Sequence, residues 1–406
     1  MRPLVSLTAP TKQSKAAILF SKSVTPTGQN IHSSPKLDAY PYDILVVNGR
    51  TTHISDLIAG NYVAADDAET ALALFIQQWA DGQENFILST SGSTGSPKAI
   101  TITRQQMISS ARRTQEALGL MKGNAALVCL HPDYIAGKMM LVRCFVIGMK
   151  ILFVSPSANP FQHVGDHQID FCAFVPLQLH DILLSPDKEL LRRIQVVIIG
   201  GGPINEETVT NIQGLECRCY ATYGMTETVS HIALRLLNTA KATTYYEVLP
   251  EVALSLDERG CLVIDSPSLP QRVVTNDVVE LLDDKRFNWL GRWDNVINTG
   301  GIKILPEQLE EKIAVLFREA SIQNRFYLDS LPDPRLGSKI VMIVEGSASL
   351  DAVSSSMLPL RLAEPYAYPK LILFIPGFIE AANGKINRNA TTIHAFHASG
   401  SGHSSV

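Results

Sequence analysis

Residues 89–98 read Ser-Thr-Ser-Gly-Ser-Thr-Gly-Ser-Pro-Lys. Gly92 and Gly95 let backbone N–H groups close on an anion, Thr90, Ser91, Ser93 and Thr94 add hydroxyl donors, and Lys98 adds positive charge. That set suits a phosphate chain. The spacing is not the common phosphate loop, because Gly-x-x-x-x-Gly-Lys-Ser/Thr is absent and a strand, not a helix, is expected to follow. A flexible Ser/Gly linker is the bland alternative, but linkers rarely sit between two apolar strand-like runs and end in Pro-Lys.

Other strings along the chain carry chemistry of their own. Gly200-Gly201-Gly202-Pro203 follows a strand-like run, and Tyr223-Gly224-Met225-Thr226-Glu227 places a hard carboxylate suited to Mg²⁺ beside a hydroxyl. Thr275-Asn276-Asp277 offers a second carboxylate, Gly291-Arg292-Trp293-Asp294 a guanidinium, and Asn383-Gly384-Lys385 a lysine after a turn signal. Each has a plainer reading. Glu227 alone suits a first helical turn, Asp277 a strand-end turn, Gly300-Gly301 a hairpin, and Lys385 a solvated surface.

These residues need a scaffold, and the composition supplies one. At about 150 residues per domain, 406 residues make two or three domains. With 46% hydrophobic and 18% charged residues, a large core is available and a wholly disordered chain is excluded. A balance of 35 basic and 39 acidic residues, net −4, argues against nucleic acid as partner. Cys129, Cys144, Cys172, Cys217, Cys219 and Cys261 lack zinc spacing and any Cys-x-x-Cys, so buried thiols in a reducing, cytoplasmic setting are expected. The most apolar stretch, 141–154, is interrupted by Arg143 and Lys150 and is too short to span a membrane. Residues 1–41 are Ser/Thr-rich, without an acid before Asp38, and read as a flexible extension, with a targeting segment or a misassigned start as alternatives.

From residue 42 short apolar runs at 86–90, 100–103, 127–130, 151–154, 171–175 and 196–199 alternate with helical patterns at 105–118 and 134–147. That order predicts a layered α/β domain over 42–290 with parallel strands. Beyond residue 245 the pattern becomes hairpins, 252–256 with 261–264 and 278–282 with 287–290, which predict a small β subdomain. After a linking segment at 291–294, residues 295–394 predict a small α+β domain. Its helix starts at Pro306 and carries Leu309, Ile313, Leu316 and Phe317 on one face. Further elements are strands at 325–328, 340–344 and 371–375 and a helix at 350–362. The Ser/Gly/His-rich stretch 395–406 is expected to be a disordered tail.

Taken in order, these motifs resemble those of the adenylate-forming superfamily, which holds acyl- and aryl-CoA synthetases, peptide-synthetase adenylation domains and luciferases. The match covers about residues 42–392. The resemblance implies the fold just described, with a C-terminal domain that is mobile. It also implies ATP and Mg²⁺ for adenylating a carboxylic acid, then coenzyme A as co-substrate. A carboxylate is a poor acylating agent; attack on the α-phosphate of ATP gives it AMP as leaving group and expels pyrophosphate. On this reading Lys385, Glu227, Thr226 and Lys98 are catalytic, with Glu227 on Mg²⁺. ATP would be held by Thr90, Ser91, Gly92, Ser93, Thr94, Gly95, Gly201, Gly202, Tyr223, Gly224, Asp277 and Arg292. Tyr223 would stack on adenine and Asp277 would accept from the ribose hydroxyls. Asp294 would be the hinge, and Gly300 and Gly301 the loop facing the pantetheine tunnel.

Some positions depart from the pattern. Asn276 stands where glycine is usual, and asparagine tolerates left-handed backbone nearly as well. His131-Pro132-Asp133-Tyr134 leaves Tyr134 as the aromatic gate. The compact length, residues 174–179 and the run 223–235 (YGMTETVSHIALR) look most like 2-succinylbenzoate–CoA ligases of menaquinone biosynthesis. That implies an aromatic keto-diacid whose second carboxylate needs a cation, since a desolvated charge is costly unless paired. Candidates are Arg143, which interrupts an apolar helical face, and Ser230, His231 and Arg235. Another acyl- or aryl-CoA ligase, an enzyme loading a carrier protein, or a binding relic without turnover are the alternatives. The oligomeric state, a homodimer included, is left open.

Overall fold

The computed structural model describes residues 40–90, 98–380 and 386–399. A hairpin opens it: β1 (Ile44–Val47) and β2 (Arg50–His53) join through Asn48 and Gly49, at φ 47° and 76°. Two consecutive positive φ values are what a two-residue turn matching strand twist requires. Helices α1 (Ile54–Ala59) and α2 (Asp67–Ala80) follow, the second capped by the Asp66 side chain accepting from Glu69 N. β3 (Asn85–Thr90) and β4 (Lys98–Thr103) then pair antiparallel as a separate two-stranded ribbon. A strand therefore does follow the Ser/Gly-rich segment, as its spacing predicted. Residues 91–97 and the side chains of Thr90 and Lys98 lie outside the described residues.

Next come α3 (Arg104–Leu118), started by a Thr103/Gln106 capping box, β5 (Ala125–Val128), α4 (Ile135–Ile147) and β6 (Lys150–Phe153). They are followed by β7 (Phe171–Phe174), α5 (Pro176–Leu184), β8 (Val196–Ile199), α6 (Glu206–Asn211) and β9 (Arg218–Gly224). Strands β1, β6, β5, β7, β8 and β9 lie side by side in parallel. Every residue of β5, β7 and β8 is buried, which is why the sequence shows unbroken apolar runs there rather than alternation.

The hairpins beyond residue 245 do not form a detached sheet. β10 (His231–Leu236) turns back antiparallel on β9. β11 (Tyr246–Val248), β12 (Ala253–Leu256), β13 (Cys261–Asp265), β14 (Val273–Leu281) and β15 (Arg286–Arg292) extend the same thirteen-stranded sheet in the order β9-β10-β11-β15-β14-β13-β12. The strand expected at 278–282 starts five residues earlier, so Asp277 lies inside β14 rather than at a strand end. This edge must curl. Four steps of about 4.8 Å separate β9 from β14 in a flat sheet, about 19 Å. Yet Tyr223 on β9 reaches Asp277 on β14 at 2.7 Å. Ile232, Ala233, Leu262, Ile264, Val279 and Phe287 form the apolar core with Tyr223.

The C-terminal elements make a second sheet with its own core. β16 (Ile297–Thr299), β17 (Ile302–Ile304), β18 (Phe326–Asp333), β19 (Gly337–Glu345) and β20 (Leu371–Ile375) form it. α7 (Pro306–Glu319) buries Leu309, Ile313 and Phe317 against β18 and β19, as its periodicity predicted. The helix expected at 350–362 is two, α8 (Leu350–Ser356) and α9 (Leu358–Ala363), because Pro359 cannot donate to the preceding turn. The tail also begins later than residue 395. α10 (Arg388–Ala398) is capped by Asn387 and buries Thr391, Thr392 and Ala395, with Thr392 Oγ1 2.9 Å from the Tyr327 hydroxyl. Packing outweighs the polar composition there. Among the described residues, no helix is long and apolar enough to cross a membrane.

Candidate active site

Asp277 is the centre of a buried polar constellation. The Tyr223 hydroxyl donates to its Oδ2 at 2.7 Å, Trp289 Nε1 donates to Oδ1 at 3.2 Å, and Arg292 Nη1 stands 3.6 Å from Oδ1. Thr275 Oγ1 accepts from the Asp277 amide and donates to the Leu262 carbonyl, which fixes the strand beneath the carboxylate. Burial and the Asp277 charge push the Tyr223 hydroxyl well above its ordinary range, so it stays a donor. The Tyr223 ring is 9% exposed and packs against Phe287 and Tyr246 at centroid distances of 5.1 and 5.8 Å. It is a wall of the site rather than an open stacking platform.

Arg292 links this constellation to the following turn. Its Nη2 donates to Asp294 Oδ2 at 2.7 Å, and Asn276 Nδ2 donates to both Asp294 oxygens at 3.0 and 3.1 Å. Arg259 Nη1 in turn donates to Asn276 Oδ1 at 2.8 Å. Asn276 has no left-handed backbone to accommodate. Its amide bridges β14 to Asp294, a job glycine has no atoms to perform.

Thr226 and Glu227 lie on a single 3-10 turn, Thr226–Thr228, directly after β9. Glu227 is exposed and Thr226 half-buried. The turn ends at Val229, buried and at φ 69°, a left-handed conformation that β-branched residues rarely adopt and that stores strain. Among the described residues, no group of three or more His, Cys, Asp or Glu side chains could hold a metal ion by itself. One exposed carboxylate does fit Mg²⁺ shared with phosphate oxygens and water.

Close backbone approach explains two of the glycines. A Cβ on Gly200 would sit 2.2 Å from Thr222 Oγ1, and one on Gly224 would sit 2.4 Å from the Ser230 carbonyl oxygen. Gly200→Ala is expected to destabilise the fold by about 1–3 kcal/mol through overpacking between β8 and β9, read as a lower melting temperature. Gly201 is left-handed at φ 88°, and Gly201 and Gly202 are exposed. Gly300 and Gly301, at φ 58° and 86°, make the two-residue turn between β16 and β17.

Arg143 lies on α4, 2% exposed, and meets only neutral partners. Its Nη2 donates to Ser230 Oγ at 2.7 Å and faces His231 Nδ1 at 3.4 Å; its Nε donates to Thr114 Oγ1 at 3.3 Å. No carboxylate lies within 4 Å of it among the described residues. Burial pulls the guanidinium down to about 10. His231 is driven well below its ordinary value by burial, then by Arg143 and Arg113, and is neutral. With Nδ1 facing a donor, Nε2 carries the proton toward Thr114 Oγ1 at 3.2 Å.

The structure therefore brings Arg143, Ser230 and His231 together and leaves Arg235 out. Arg235 stacks on Tyr246 at 5.4 Å and faces Glu311 of α7. Tyr134 is 65% exposed and lines a different cleft, of about 430 Å³, with Asp67, Thr70 and His131. Lys385 lies outside the described residues; beside it Arg388 makes a two-pronged pair with Glu310 at 2.8 and 2.9 Å.

Residues 7–267 match the family model described as AMP-binding enzyme. The chain belongs to that family. An acyl-CoA synthetase (AMP-forming)/AMP-acid ligase II-like protein from Dyadobacter fermentans is 38% identical, with 83% of this chain and 97% of that one covered and a TM-score of 0.56. The probable 2-succinylbenzoate–CoA ligase of Mycobacterium tuberculosis is 26% identical over 344 residues, 78% of this chain and 86% of that protein. The o-succinylbenzoate CoA synthetase of Bacillus subtilis, in complex with the acyl-adenylate intermediate OSB-AMP, shares the fold at a TM-score of 0.69 and 16% identity, over 87% of this chain and 96% of that one.

In this AMP-binding enzyme several site residues carried no local signal. Trp289, Tyr246 and Thr114 reach the constellations only through the curl of the sheet and the packing of α3 on α4. Arg113 was hidden in a polar helix stretch. Arg113 and Thr114 both lie on the buried face of α3.

Proposed function

We propose that the protein is an ATP-dependent acid–CoA ligase working through an acyl-adenylate, with 2-succinylbenzoate as the acid. The supporting observation is a buried arginine, Arg143, with no negative partner among the described residues, directly behind the Tyr223–Glu227 turn. A folded chain has no reason to desolvate a lone charge unless something supplies its counter-charge. The second carboxylate of a diacid does so, entering past the half-buried Ser230 hydroxyl.

The chemistry runs in two displacements. A carboxylate oxygen attacks the α-phosphorus of ATP, and pyrophosphate leaves. The thiol of coenzyme A then attacks the acyl carbon, loses its proton, and AMP leaves. Asp277 accepts from the ribose hydroxyls, with Tyr223 and Trp289 orienting it and Arg292 balancing its charge. Thr226 donates to the α-phosphate. Thr90, Ser91, Gly92, Ser93, Thr94, Gly95 and Lys98 take the outer phosphates, and Gly201, Gly202 and Gly224 pass close to the nucleotide. Glu227 holds Mg²⁺, which when bound neutralises phosphate charge. Lys385 bridges the attacking carboxylate and the α-phosphate. The chain divides at 291–294, where Asp294 is the pivot, and Gly300 and Gly301 face the pantetheine arm.

The test is a panel of carboxylic acids with ATP, Mg²⁺ and coenzyme A, read by mass. 2-Succinylbenzoyl-CoA and AMP are expected in equal amounts. Preference for another acid by tenfold, or transfer only to a carrier protein, would replace this reading.

A further inference from the structure

Arg143 is not the only lone cation in this part of the molecule. Arg113, one residue before Thr114 on α3, is 4% exposed and also has no carboxylate within 4 Å among the described residues. Its Nη1 donates to Ser266 Oγ at 3.2 Å and Ser268 Oγ at 2.8 Å, while its buried Nε has no hydrogen-bond partner. Ser110 Oγ, one turn earlier on the same helix, is likewise buried without a partner. Positions 110, 113 and 114 share one helical face. Exposed Glu251 acts on Arg113 through space but makes no ion pair with it.

His231 ties the two arginines into one cluster. It contacts Arg143 and Thr114 directly, and it feels the charge of Arg113 as well. The imidazole between them is neutral, so the cluster holds two positive charges and not three. Four hydroxyls and a neutral imidazole soften that charge without cancelling it. Orphaned donors beside uncancelled charge mark a place where an anion is missing.

We propose that Arg113 and Arg143 form one two-guanidinium subsite that takes the distal carboxylate of the acid, with Arg113 setting the preference for diacids over monoacids. The proposal rests on the ligase reading and adds to it a specificity residue on α3. Arg143 meets the carboxylate through Ser230. Arg113, next to Thr114 on α3, acts by charge, which His231 already feels.

The experiment compares 2-succinylbenzoate with its two single-carboxylate counterparts, 3-benzoylpropionate and 2-butanoylbenzoate, by acid-dependent pyrophosphate–ATP exchange. Native enzyme is expected to favour the diacid by about 100-fold in kcat/KM over whichever counterpart keeps the activated carboxyl. Arg113→Met is expected to shrink that ratio at least tenfold, chiefly through KM for the diacid, with the counterpart's kcat/KM held within about twofold. Arg113→Lys is expected to restore most of the ratio, because it keeps the charge, and it serves where the methionine variant folds poorly. A native ratio near one, or equal losses on diacid and monoacid, overturns the subsite while leaving the ligase reading in place. Exchange with no acid at all overturns the ligase reading instead.

Discussion

Lys385→Ala is expected to lower acyl-adenylate formation by about 100- to 1,000-fold while leaving thioester formation from preformed acyl-adenylate within about threefold. The asymmetry follows from where charge develops. In the first displacement an anionic carboxylate approaches a polyanionic triphosphate, and a cation spanning both is worth most at the transition state. In the second, a thiol meets a mixed anhydride already formed, and no such repulsion remains. The residues that follow Lys385 are well anchored: Ile386 bridges Glu380, Asn387 caps α10, and Arg388 is clamped by Glu310. Removing the ammonium therefore leaves its supports intact, and the loss reports chemistry rather than folding. Rapid-quench measurement of each half-reaction checks it. Equal losses in both would show that Lys385 is structural.

Arg143→Met is expected to separate stability from activity in opposite directions. A desolvated guanidinium without a counter-charge weighs on the folded state, and well-packed apolar replacements of buried charges are often neutral or stabilising, by about 1–4 kcal/mol. Methionine nearly fills the volume, Thr114 keeps its bond to the Ser110 carbonyl, and His231 keeps Thr114. The melting temperature is thus expected to hold or rise. Meanwhile kcat/KM for the diacid falls about 100-fold, with a monoacid little affected. A lower melting temperature with equal losses on all acids would make Arg143 a packing residue.

The same substitution changes the acid limb of stability. His231 sits well below its ordinary 6.5 in the folded chain, and burial is the largest cause, followed by Arg143 and Arg113. An unfolded histidine binds its proton as pH drops through 6.5, whereas the folded one does not, so stability falls below that pH. Removing Arg143 lifts the folded value toward 6.5 and flattens the fall. Denaturant titrations between pH 5 and 7.5 would show the flattening.

Much of this arrangement was legible in the residues. The parallel strands announced themselves as short apolar runs because both faces are covered, and the 196–199 and 371–375 expectations match β8 and β20 residue for residue. Arg143 could be suspected because a charge broke an apolar helix face, and the structure buries it beside Ser230 and His231 as that reading required. Arg235 failed the same test. It shares a strand with His231, but a bulge between His231 and Ala233 shifts the register, and Arg235 turns toward Tyr246 and α7. Local pattern cannot reveal such a shift. Nor could it reveal that Asn276 bridges to Asp294, since that depends on strands far apart in sequence coming side by side. The misread tail has a simpler cause: short polar residues favour helix only when a neighbour such as Tyr327 gives them something to pack against.

The continuous hydrogen-bonded path from β9 round to β14 has a mechanical consequence. Tyr223 and Asp277 belong to one stiff shell, and prying them apart means unzipping several ladders together. Between that shell and the C-terminal sheet lies the turn Trp293–Asn295, held to β14 and β15 by the Arg292–Asp294–Asn276 knot and to α7 by the Glu307–Asn295 bond. Under the proposed ligase reading, torque from a rotating C-terminal sheet would concentrate at Trp293–Asn295, much as a rigid plate hinges where its thickness drops.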